Sequence, residues 1–228
     1  MAPALSHTSK FVVFSVVALT LFSNPLRSQQ QPAAPPTSPT PAQWTPMTKS
    51  EKVRASVRNA VGPPALVGPA ILAFWDLGID RVPEWPSGGA GYIRYYGDRF
   101  GRNAIRESIE LTFDLALGHD PRYFRSPHPG VWRRTRHALK QTVFNYNDQG
   151  KRVVGYPNIF GAYGSGLISG FWYPPSRNSF ASGLGRGTGQ LGINAGTNVF
   201  YEFWPDIRRL VFGRKRGASG PLGPIAPP

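Results

Sequence analysis

The chain has 228 residues, with 26 Lys and Arg against 12 Asp and Glu, a formal net charge of +14, 26 Gly, 24 Pro and no Cys. The missing cysteine excludes a disulfide framework, a thiol nucleophile and any Cys-based zinc or iron–sulfur site. An apolar content of 40% with 13% aromatics excludes wholesale disorder, and the length suits one compact domain.

The first element is an address. Lys10 precedes the apolar run Phe11 to Phe22, and small residues follow near Ser23 and Ser28, which is the order of a secretory signal peptide. Twelve apolar residues span about 18 Å as a helix, against a hydrocarbon core of about 30 Å, so export is expected over an anchor. Residues 29–46 are Pro-rich and uncharged, an extended tether. The domain is expected over residues 47–213, with a basic, Pro- and Gly-rich disordered tail at 214–228.

Thr48, with Glu51 three residues later, predicts a capping box opening a short helix that Gly62 closes. After Pro63 and Pro64, Ala65 to Trp75 is apolar on most faces and reads as a buried or interfacial helix, with Pro69 kinking it or marking its start. Ser87 to Gly118 is the most regular stretch and predicts a helix of some thirty residues. Ile93, Gly97, Gly101, Ala104, Ser108, Leu111 and Leu115 form its small and apolar stripe, where a second helix can approach closely. Arg94, Asp98, Arg102, Arg106, Glu110 and Asp114 take another face.

Val131 to Tyr146 predicts a basic amphipathic helix, with Trp132, Leu139, Val143 and Tyr146 on one side. Such a helix suits a membrane surface, or a packed helix with a solvated basic face. The remainder is glycine-rich. Gly166 and Gly170, Gly185 and Gly189, and Gly192 and Gly196 are each four apart, which favours closely packed helices and helix-mediated self-association over the alternative of a small β-barrel. The fold expected is therefore mainly α, a glycine-rich single helical domain.

Charge divides the chain. Residues 29–120 carry nine basic and nine acidic side chains, whereas residues 121–228 carry fifteen and three. The asymmetry predicts an anionic partner for the second half, anionic lipid or an envelope polyanion. Arg122, Arg125, Arg133, Arg134, Arg136, Lys140, Arg208, Arg209, Arg214, Lys215 and Arg216 are the candidate anion- or membrane-binding residues. No helix-turn-helix, RRM or zinc-knuckle pattern accompanies the charge, so no nucleic-acid partner is expected.

Chemistry is sparsely signalled. Glu107, Glu110 and Asp114 share a helix face and His119 follows it; together they could hold a divalent metal and supply a base, as in a metal-assisted hydrolase acting on an envelope component. They could equally be the acidic side of ion pairs to Arg122, Arg125 and the basic helix. Gly164 to Gly166 is not G-x-S-x-G, and the run from Gly185 lacks a Walker lysine. No cofactor is expected. The favoured role is a structural or binding protein of the periplasm or outer envelope, with an outer-membrane barrel as a further alternative.

Two segments, Asp120–Arg125 ("DPRYFR") and Glu202–Ile207 ("EFWPDI"), read as structural corners: a proline ends a helix, aromatics anchor the loop and arginines rim it. On these segments, over roughly Pro46 to Phe212, the chain resembles a family of predicted exported bacterial proteins to which no activity is assigned. The resemblance implies export and a single domain, and it adds no catalytic residue.

Overall fold

The structure, a computed structural model, describes residues 44–212. The signal peptide, the tether before Trp44 and the tail with Arg214, Lys215 and Arg216 lie outside the described residues. Within them the chain is mainly helical. Six α-helices, two short 3₁₀ turns and a three-stranded antiparallel sheet of two to four residues per strand make up the fold, and no barrel forms among the described residues.

Helix α1 (Lys49–Val61) begins at the expected capping box: Thr48 Oγ1 accepts from Glu51 N–H, and Glu51 Oε2 accepts from Thr48 N–H at 2.8 Å. Gly62 ends it in extended backbone. Helix α2 (Pro63–Gly78) starts on the tandem prolines, whose missing N–H groups would be unpaired there anyway, and carries Pro69 inside. By length and composition Lys49–Gly78 is long and apolar enough to cross a membrane. The break at Gly62, however, divides it into 13 and 16 residues, each about 20–24 Å and short of a bilayer core. Ala65, Pro69, Ala73 and Asp76 form the buried stripe of α2, which packs on the next helix.

Helix α3 (Gly88–Leu117) is the axis of the molecule, with Ser87 as its N-cap and Gly118, in the left-handed region at φ 63°, as its C-cap. Its polarity is opposite to the one expected. Tyr95, Asp98, Arg102, Glu107 and Asp114 are buried, whereas Ile93 is 70% exposed and Gly97 and Gly101 face open space, so no helix approaches there. Asp98, Arg102 and, on α2, Asp76 can be buried because they are partnered. Asp98 takes Arg102, Trp172 Nε1 at 3.0 Å and Tyr173 OH at 3.0 Å, and Asp76 takes Arg99 through two bonds at 2.7 and 2.8 Å. Buried ions are tolerated on these terms. The apolar core is correspondingly small: Ala73, Val82, Trp85, Tyr95 and Tyr173 form one cluster, in which Tyr95 OH accepts from Val82 N–H and donates to Val82 C=O.

Past Gly118 the chain forms β1 (His119–Asp120), then α4 (Val131–Lys140), β2 (Phe144–Asn147) and β3 (Arg152–Val154), paired in the order β1-β2-β3. The basic helix thus ends six residues before its expected limit. Val143 lies between α4 and the sheet, and Tyr146 is in β2, because Asn147 to Gly150 turns the chain with Gly150 at φ 73° and Phe144 to Tyr146 then pairs with Arg152 to Val154. Trp44, placed in the tether by composition, sits against Phe124 and Tyr146 and donates Nε1–H to Asp148 C=O at 2.9 Å.

Helices α5 (Tyr156–Ile168) and α6 (Phe180–Phe212) complete the fold. Their crossing is built on glycine. A Cβ at Gly166 would stand 2.6 Å from Gly183 C=O and 2.7 Å from Gly187 N, and one at Gly187 would stand 2.9 Å from Tyr163 Cα. Gly185, Gly189, Gly192 and Gly196 lie on the other side of α6 and meet nothing within 4 Å. The close contact therefore runs through Gly183 and Gly187, while the expected pairs Gly185/Gly189 and Gly192/Gly196 stay open.

Candidate functional site

Helix α5 packs against both α3 and α6, and between those two long helices a polar cleft of about 410 Å³ is left. Helix α3 contributes Asn103, Arg106, Glu107, Glu110 and Asp114 to its wall; α6 contributes Gln190, Asn194, Thr197, Asn198 and Tyr201; α1 supplies Lys52 and Asn59. Asn145 of β2 and Asn158 of α5 line it too, joined by a 3.0 Å bond from Asn158 Nδ2 to Asn145 Oδ1. Three of the four candidate catalytic residues, Glu107, Glu110 and Asp114, thus share one cavity. His119 is buried in β1, outside the lining, with Nδ1 lacking a hydrogen-bond partner among the described residues.

Arg106 organises the acidic wall. It donates to Glu107 at 2.5 Å and to both oxygens of Glu110 at 2.8 and 2.9 Å. One guanidinium serves two carboxylates, and burial pushes Glu110 up to about 7 despite that contact. Asp114 is raised further, to about 8, first by burial and then by the neighbouring charge of Glu110. Lys52 lowers it only in part, because its ammonium is 2.7 Å from Asp148. Asp114 is 4% exposed and its Oδ1 has no hydrogen-bond partner among the described residues. Burial, then Lys52, holds His119 below its ordinary value. Among the described residues no group of three His, Asp or Glu side chains is arranged to hold a metal ion. The geometry therefore favours an acid-lined pocket over a metal centre.

The basic residues divide by role. Arg122 folds back on Asp120 at 2.5 Å and donates to Thr45 C=O. Arg125 donates to Glu202 C=O. Arg134 donates to Glu202 Oε1 at 2.9 Å, to the Glu202 carbonyl and to Asp206. Tyr123 OH at 2.7 Å and Ser126 N–H at 3.0 Å complete the shell of Glu202, which is fully buried. The two corner segments are thus the two halves of one joint. Arg209 lies at the 4.0 Å limit of an ion pair with Asp206, and Arg208 is exposed.

Arg133, Arg136 and Lys140 point the other way. On α4 the side facing the protein is Arg134, His137, Ala138 and the following Gln141, the last two buried. The apolar stripe of this helix is therefore outside: Trp132 is 75% exposed and Leu139 is 46% exposed. Lys140 borders a shallow depression with Phe144, Arg152, Val154 and Tyr156, where the Arg152 guanidinium lies 5.0 Å over the Phe144 ring. Arg133, Arg136, Lys140 and Arg152 enter no ion pair among the described residues.

No protein-family model, no curated protein and no solved structure matches this chain. The carboxamides of the cleft were missed in the sequence. Their signal is the spacing of Gln190, Asn194, Thr197, Asn198 and Tyr201 at three and four residues along α6, hidden among the glycines that dominate that stretch.

Proposed function

We propose that this chain is an exported, envelope-associated binding protein that docks on an anionic lipid surface through α4 and the adjoining edge of the sheet. The observation that carries the reading is the outward face of α4: Trp132 and Leu139 exposed beside a row of cations, Arg133, Arg136 and Lys140. An exposed apolar stripe flanked by cations is the arrangement of a helix lying in a membrane interface, its apolar residues entering the headgroup boundary and its cations meeting phosphate. A soluble polyanion would have no use for Trp132, so lipid is the better partner. At roughly 1 kcal/mol per cation near an anionic surface, Arg133, Arg136, Lys140 and Arg152 supply about 4 kcal/mol, and the buried indole adds to it. The family resemblance and the signal-like N-terminus support the envelope as the setting.

The test is co-sedimentation of the processed protein with phosphatidylglycerol vesicles and, in parallel, phosphatidylcholine vesicles. Binding to the anionic vesicles alone, released at about 1 M salt where screening shortens to about 3 Å, is expected. Arg133→Glu with Arg136→Glu removes it, and Trp132→Ser weakens it. Equal binding to both vesicles, or binding untouched by these substitutions, overturns the reading.

A further inference from the structure

Asp114 is a buried carboxyl group with an open acceptor. It is more than nine-tenths buried, it stands on the wall of a cleft, and its Oδ1 accepts no hydrogen bond from the described residues. A buried acceptor left open costs free energy unless a donor arrives. The charges around it say which kind of donor. Every cation lining the cleft already faces a carboxylate: Lys52 meets Asp148, Arg99 meets Asp76, Arg122 meets Asp120, and Arg106 is shared between Glu107 and Glu110, with only its Nε–H lacking a hydrogen-bond partner among the described residues. None of these cations is left without a carboxylate to face a phosphate or carboxylate ligand, whereas Asp114 is a carboxyl group left over. The α6 wall presents the carboxamides of Gln190, Asn194 and Asn198, whose donors and acceptors complement hydroxyl groups and are only partly used within the fold, Asn198 Nδ2 on Thr142 Oγ1 at 3.3 Å. Gln190 Nε2 donates to Asn194 Oδ1 at 3.0 Å, which leaves the Asn194 N–H groups for another partner.

We propose that the cleft binds a small, hydroxyl-rich organic cation, its ammonium group on Asp114 and Glu110 and its hydroxyls on the carboxamides of α6. The volume of about 410 Å³ falls within the roughly 300–1,000 Å³ usual for small-molecule sites. Glu110 is held ready for it. The α5 backbone passes so close at Gly161 that a Cβ there would stand 2.6 Å from Glu110 Cγ and 2.9 Å from Oε1, so the carboxylate is fixed between α5 and Arg106. The groups that face Asp114 are Lys52 from α1, Arg106, Glu107 and Glu110 from α3, His119 and Asp120 from β1, and Asp148 from the β2–β3 turn. Burial keeps Asp114 protonated near neutrality. An arriving ammonium favours its carboxylate, and the displaced proton leaves to the buffer.

Three probes with closely matched carbon skeletons separate the possibilities by titration calorimetry on the full chain: N-methyl-D-glucamine, D-glucitol and D-gluconate. At pH 8 the amine is expected to bind at least about tenfold tighter than glucitol, with gluconate weakest. Its enthalpy should differ between buffers of unlike ionisation heat, reporting a released proton. Its affinity should fall at least about tenfold at pH 6, where Asp114 holds its proton more firmly. Asp114→Asn, isosteric with the protonated acid, should unfold at no lower a temperature than the parent at pH 5 while losing both the preference for the amine and the proton release. Glucitol binding as tightly as the amine, preference for gluconate, or no heat from any probe up to about 10 mM overturns the proposal.

Discussion

Tyr123 donates its hydroxyl proton to Glu202 Oε2 at 2.7 Å, closing a joint between residues 79 apart in sequence. The carboxylate is completely buried and also receives Ser126 N–H and Arg134 Nε–H. Burial and the neighbouring carboxylate raise Tyr123 well above its ordinary range, so the phenol stays a donor.

Removing this joint should be among the most damaging single changes available. Glu202→Ala leaves Arg134 without its buried partner and is expected to cost about 3–5 kcal/mol. Glu202→Gln keeps an acceptor for Tyr123 and Ser126 and should cost about half of that. The midpoint and slope of urea unfolding measure both.

The Asp98–Arg102 pair offers a different contrast. Asp98→Ala strands a buried guanidinium together with Trp172 Nε1 and the Tyr173 hydroxyl, and should cost about 3–5 kcal/mol. Replacing both charges, as Asp98→Leu with Arg102→Met, should recover much of the loss, because two desolvation penalties vanish together. Thermal unfolding of Asp98→Leu, Arg102→Met and the double variant closes the cycle.

Stability should fall as pH rises from about 4 to 8. Asp114 moves from an ordinary value of 3.8 to about 8 in the fold, and Glu110 from 4.5 to about 7. The folded chain therefore binds more protons than the unfolded chain in that window. The stability these groups contribute is complete below their unfolded values and is lost through the folded ones, with a slope approaching roughly 1.4 kcal/mol per pH unit for each group. Asp114→Asn should flatten the dependence, as read from unfolding temperatures at pH 5, 6, 7 and 8.

Glycine has two meanings on α6. Gly166→Ala on α5 would drive a methyl into the backbone of Gly183 and Gly187 and should cost about 1–3 kcal/mol or more. Gly189→Ala meets open space on the opposite face and should stabilise the helix by up to about 1 kcal/mol. Circular dichroism melts of the two variants should move in opposite directions.

Most helices were legible, since their ends are written in local chemistry: Thr48 with Glu51, Gly62, Ser87 and Gly118 each fall where capping rules place them. Orientation was not. The stripe of Asp98, Arg102, Glu107 and Asp114 reads as a solvated face by period alone, and only the arrival of Trp172, Tyr173 and Lys52 from distant segments makes it an interior. The same holds for α4, where Arg134 rather than Trp132 faces inward because Glu202, 68 residues later, waits there. The acidic wall of the cleft could be named in advance from its three- and four-residue spacing. Its carboxamide wall could not, because a single Asn or Gln carries no chemical signature until several converge.

Trp44 gives the N-terminal edge of the domain a mechanical character. The indole is lodged between Phe124 and Tyr146, hydrogen-bonded to Asp148, with the Arg122 guanidinium 5.8 Å from its ring. A tug on the chain ahead of this residue would load that socket before it reached the first turn of α1. The tryptophan would then act as a strain relief, yielding or holding on behalf of the helices behind it.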